Sequence, residues 1–244
     1  MRWTAFTLIG LFVLYAGLSI YDNNRDVGRV MHAARKNAAE HHRKLSVVCR
    51  TEGKVAEAEQ HLRSALSDQP TADRDDRATA ADLRRELASL RMSADDLAGA
   101  EKLYREALAL LEDTPRGADA AIINLRTQLA GLCYRQSRLD EAAALYRSVL
   151  KLEVDSLGED HPDPLGTMSI LGGLELKRGK PAEAEVLFRR QLKGVQKLHG
   201  AEKRETASVL DNLADALEKR GDPAEAARLR DEARRIRHKL CDEC

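Results

Sequence analysis

Apolar residues follow two regimes along this chain. From Trp3 to Tyr21 no residue is charged, whereas from Arg43 to Lys239 they fall on helical stripes that recur every 42 positions. Ala58, Ala100, Ala142, Ala184 and Ala226 mark the interval, and Leu45, Leu87, Leu129, Leu171 and Leu213 mark it again. Tyr104, Tyr146 and Phe188 share a third repeat position, with Leu62 in the first copy. Such self-similarity defines the architecture before any local reading. Each copy predicts two helices. The first is apolar at Leu129, Leu132 and Cys133, and the second at Leu139, Ala142, Leu145, Tyr146, Val149 and Leu150. Between them a turn is expected at Gly53, Gly179 and Gly221, with Asp95 and Ser137 in the equivalent places. The second helix of the last copy announces itself with Asp222 as N-cap, Pro223 at N1 and Glu225 at N3.

The order Leu129, Ala130, Ala142, Tyr146, Val149 resembles the small-and-large signature of tetratricopeptide repeats, and Pro70 falls where that family places its terminal Pro. The 42-residue period, with Leu157-Gly158-Glu159-Asp160-His161-Pro162 between copies, is similar to the longer kinesin-light-chain type. The resemblance implies an all-α, right-handed solenoid of five helix-turn-helix repeats, preceded by one N-terminal transmembrane or signal helix. The expected organisation is a membrane segment at 1–21, a polar helical connector at 22–40, the array at 41–240 and a Cys-x-x-Cys tail at 241–244. In the last copy Arg230 replaces the aromatic and Arg234 an apolar residue, as suits a terminal repeat with no further neighbour.

The run from Trp3 to Tyr21 would reach roughly 28 Å as a helix, close to the hydrocarbon thickness of a bilayer. Trp3 and Tyr21 sit at its ends, where amphipathic rings favour the interface. Two readings stay open: an uncleaved anchor, or a signal peptide cut after Ser19. The cations that follow the run (Arg25, Arg29, Arg35 and Lys36) lean towards a cytoplasmic C-terminal domain, against a short N-terminal tail that carries only Arg2.

Charge and composition narrow the function. Forty basic residues balance forty acidic ones, so nucleic acid is not the expected partner. No phosphate loop, nucleophile elbow or metalloprotease helix motif occurs, and neither enzyme activity, a cofactor, a metal nor a small-molecule substrate is expected. His41 and His42 are adjacent on a helix, point about 100° apart and make poor joint ligands. His161 is expected to fix the loop before Pro162. Cys49 and Cys133 share a repeat position and read as small buried residues, whereas Cys241 and Cys244 lack the helix N-terminus that activates redox dithiols.

In tetratricopeptide arrays the first helix of each pair faces the ligand groove. One repeat row on that helix carries Thr51, Ser93, Arg135, Lys177 and Lys219, and another carries Arg43 and Arg85. Three successive cations resemble the basic clamp by which some family members hold a peptide carboxylate. The resemblance therefore implies a protein or peptide partner, with an acidic segment or a free C-terminus, met by Arg43, Arg85, Arg135, Lys177 and Lys219. Asp211, Asp215 and Glu218 lie close enough in sequence to neutralise Lys219.

Overall fold

The computed structural model describes the backbone of residues 3–69, 73–112 and 119–242, with side chains from Asp26 onward in these ranges, Arg74 and Asp242 apart. Ten helices are present among the described residues. They form two compact units, Met1–Thr114 and Pro115–Cys244. The first holds α1 (Trp3–Thr51), α2 (Val55–Asp68), α3 (Arg74–Ser93) and α4 (Leu97–Glu112). The second holds α5 (Asp119–Arg135), α6 (Leu139–Leu157), α7 (Pro162–Lys177), α8 (Pro181–His199), α9 (Arg204–Arg220) and α10 (Pro223–Asp242). Helices pack in consecutive pairs, α1 with α2 through α9 with α10, and within each unit every pair also meets the next.

All five hairpins close in the same way. Gly53, Asp95, Ser137, Gly179 and Gly221 have φ of 75°, 63°, 60°, 74° and 98°, the left-handed region that ends a helix. The next amide reaches back five residues, as in Lys54 to Cys49 O (2.8 Å), Arg138 to Cys133 O (2.9 Å) and Asp222 to Leu217 O (2.9 Å). The left-handed residue itself bonds three residues back, Ser137 to Tyr134 O at 3.0 Å for example. Each first helix thus ends in a complete Schellman turn, which satisfies carbonyls that would otherwise be orphaned. Asp222 caps α10 as expected, accepting from the Glu225 amide at 3.2 Å. His161 caps α7, its Nδ1 accepting from the Asp163 amide at 3.2 Å.

The repeat positions are the core. Ala58, Ala100, Ala142, Ala184 and Ala226 are all buried, as are Leu62, Tyr104, Tyr146 and Phe188. Cys49 and Cys133 are buried too. Gly172 shows why the signature wants a small residue there: a Cβ on it would come within 2.5 Å of the Phe188 ring. At the far end, α10 docks Ala233 and Ile236 on Ala207 and Leu210 of α9.

The expected membrane segment at 1–21 lies outside the residues whose side chains are described. Among the described residues no helix is long and apolar enough to cross a membrane, so the structure lends that segment no support. The stretch after it is helical and does more than connect. It continues unbroken into the first repeat as part of α1, buries Ala39, and sends His32 and Lys36 to the fully buried Asp76 of α3, at 3.2 and 2.9 Å. Pro70 and Cys244 lie outside the described residues.

Candidate protein-binding surface

The five cations expected to read a ligand divide between the units. Arg43 and Arg85, in the first unit, are committed to carboxylates. Arg43 bonds Glu86 at 3.0 Å and also meets Asp82, while Arg85 bonds the other oxygen of Asp82 at 2.6 Å. Two guanidinium groups therefore converge on one carboxylate; Arg43 knits α1 to α3, while the Arg85 bond lies within α3. The Arg43 reach depends on cross-helix register, which a row of equivalent residues in sequence does not display.

In the second unit Arg135, Lys177 and Lys219 are exposed, each two residues before a left-handed turn on α5, α7 and α9. Lys177 bonds the Tyr134 hydroxyl, and its ammonium lies 4.6 Å from the centre of the Tyr134 ring. Sequence reading missed Tyr134, the one aromatic outside the N-terminal run and the core row; its isolation was the available signal. The carboxylates that could have neutralised Lys219 are engaged elsewhere. Arg230 of α10 holds Asp215 at 2.7 Å and also meets Glu218, and Arg237 holds Asp211. The terminal helix thus satisfies the acidic side of α9. Gly131, Gly166 and Gly173 leave open space beside these helices, since a Cβ on any of them would meet nothing within 4 Å.

A second set of ion pairs staples successive repeats within this unit. Glu175 of α7 is fully buried and receives Arg178 (2.6 Å) and Arg147 of α6, while Arg178 also bonds Asp140 with its Nε at 2.9 Å. One repeat later Glu185 is shared by Arg189 (2.8 Å) and Arg220, and Arg189 continues to Glu225 (2.8 Å). The bond to Arg178 holds the exposed Asp140 carboxyl below its usual range.

Recessed sockets recur between successive first helices. One of about 360 Å³ runs along 36–43 with Gln69 at its side, one of about 690 Å³ along 119–127 with Glu153, and one of about 320 Å³ along 162–169 with Val195. Gln69, Glu153 and Val195 occupy one repeat position, so the same recess is rebuilt with different chemistry.

The histidines form two clusters that spacing alone did not bring together. His42 faces His61 of α2, with Nδ1 atoms 3.2 Å apart, a hydrogen bond in one tautomeric pairing. His32, Asp73 and Asp76 place their ligand atoms within 4.8 Å of one another, but the Lys36 ammonium already sits on Asp76 and disfavours a cation there.

A family model described as tetratricopeptide repeat matches residues 119–190 and 163–239. Residues 119–239 carry tetratricopeptide repeats. Such repeats typically mediate protein–protein contacts and are generally non-catalytic, which makes the chain a repeat scaffold. Solved structures extend the fold likeness over both units. BtubC (BKLC) from P. vanneervenii is 20% identical, with a TM-score of 0.65 and coverage of 87% of this chain and 91% of that one. A kinesin-light-chain protein of Podosopora anserina with nearly identical TPR-like repeats is 21% identical, with a TM-score of 0.68 and coverage of 84% and 97%. MamA is 13% identical, with a TM-score of 0.61 and coverage of 84% and 94%. No curated protein matches the sequence.

Proposed function

We propose that this tetratricopeptide scaffold binds a protein partner on the face formed by α5, α7 and α9, and that the partner presents an acidic segment or a free C-terminus to Arg135, Lys177 and Lys219. The observation that carries this reading is the exposed row of three cations at one repeat position, beside an α9 whose carboxylates are taken up by α10. Arg43 and Arg85 are left out of the binding set because Asp82 and Glu86 already hold them. The stacked repeats of the second unit would present this row along an extended surface.

The charge-free run from Trp3 to Tyr21 supports a second element of the proposal, a tether that places the scaffold at a membrane. Recovery of the full 27.1 kDa chain in the membrane fraction would establish the tether. Recovery of a soluble chain about 2 kDa lighter would replace it with the exported form.

The binding surface is tested by crosslinking from detergent extract, with the native chain beside an Arg135→Glu/Lys177→Glu variant. A partner captured by the native chain and lost by the variant supports the proposal. Identical capture by both removes it.

A further inference from the structure

The largest of the three sockets holds a group that the fold itself does not need. Glu153, near the end of α6, is only 6% exposed, and its Oε2 has no hydrogen-bond partner. Equivalent positions in the neighbouring copies are Leu111 and Val195, both buried. Thr167 of α7, itself buried, stands at a position that holds Leu125 and Val209 in those copies. An apolar pair has thus been exchanged for a polar one in a single repeat. Leaving a buried carboxylate oxygen unsatisfied is costly, and an apolar pair as in the flanking copies would avoid that cost.

The surroundings indicate what would pair with this carboxylate. Asp119 and Asp163 also line the socket, Asn124, Thr127 and Ser156 add polar groups, and none of the described lining residues is cationic. Ile123 and Leu157 supply apolar wall. The carboxylates are too dispersed for a metal ion, since the only group of three ligands within 4.8 Å among the described residues is His32, Asp73 and Asp76. An elongated organic cation fits better: a charged head for the carboxylates and a methylene stem for the apolar wall.

We propose that the socket between α5 and α7 is a receptor for an alkylammonium or guanidinium group, anchored by Glu153 and flanked by Asp119 and Asp163. It lies at the opposite end of α5 from Arg135 and stands independently of the cation row. Two sources share this chemistry, a Lys or Arg side chain of a partner and a free small amine.

The test follows the Ile123 δ1 methyl resonance of the full chain during titration with Ac-Gly-Gly-Lys-Gly-Gly-NH2, with its norleucine counterpart and with n-butylamine. The expected result is a saturable shift with the lysine peptide and none with norleucine. In Glu153→Leu the affinity should fall at least about tenfold. Glu153→Gln, which keeps the volume and removes the charge, should show the same loss and guards against misfolding of the first variant. Tighter binding of the peptide than of butylamine assigns the site to a partner side chain, and equal binding assigns it to a free amine; both support the receptor. Equal shifts with norleucine, no shift with any cation, or unchanged affinity in both variants would overturn it.

Discussion

The face of α1 and α3 and the face of α5, α7 and α9 are built from the same repeat, yet their cations do different work. On the first, Arg43 closes on Asp82 and Glu86 and holds α1 to α3, and Arg85 closes on the same Asp82 from within α3. On the second, the cations stand exposed near the helix ends, while the nearby acids of α9 are drawn off by α10. A shared repeat position fixes where a side chain starts. What its charge does depends on what the adjacent helix places opposite.

The strongest way to break the comparison is to unfold one side of it. Phe188→Ala removes a fully packed ring from the second unit and should cost about 3–5 kcal/mol. Hydrogen exchange should then show lost protection in α7–α10 with α1–α4 retained, because repeat stability is a sum over neighbours. Global loss of protection would mean that the two units do not unfold separately.

Asp82→Ala sharpens the contrast more directly. It removes the carboxylate shared by two arginines that are each about one-third exposed, so the loss in chemical denaturation should be about 1 kcal/mol. The same change releases positive charge on the α1–α3 face, and an acidic peptide should gain measurable affinity for it. No gain would show that cations alone do not make the surface.

The turns offer a gain instead. Asp95 and Ser137 adopt the left-handed conformation in which the other three turns use glycine. Asp95→Gly and Ser137→Gly should each stabilise by up to about 1 kcal/mol, read as a higher denaturation midpoint, with Ser137→Gly the larger because Asp tolerates this conformation better.

The smallest effect is expected with pH. Burial raises the Glu153 carboxyl above its usual value; the Thr167 side chain opposes this, and the charge of Asp163 adds to it. An acid with a raised folded-state pKa binds its proton more tightly folded than unfolded. Stability therefore falls as pH rises from the ordinary carboxylate value to the raised one. Glu153→Gln should flatten that decline in a melting series, and an unchanged slope would place the titrating group elsewhere.

The hairpins were legible because their signals are local. Three glycines at one interval exposed the turn, and the interval carried it to Asp95 and Ser137, where composition alone would not. Burial of the alanine and aromatic rows followed from helical periodicity. The ion pairs were not legible, since Arg43 to Asp82 and Arg147 to Glu175 join residues 39 and 28 positions apart across separate helices. Glu153 was visible in principle: it stands between Leu111 and Val195 in a row whose end copies carry Gln69 and Arg237. It passed unnoticed because a charged residue on an amphipathic helix looks ordinary until the neighbouring copies show that this position faces inward.

The five identical hairpin closures carry a consequence for how the chain accommodates added length. Each spends several backbone bonds on three residues, so an insertion there would shift the second helix out of phase with the first and misplace its whole apolar stripe. The segments between repeats carry fewer backbone bonds; Gly158 and Gly200 each make one amide bond back to the preceding helix, at 3.0 and 2.9 Å. New loops, tags or grafted epitopes therefore belong at 158–159 or 200–201, ahead of the caps at His161 and Lys203, where the chain can grow without rewinding a repeat.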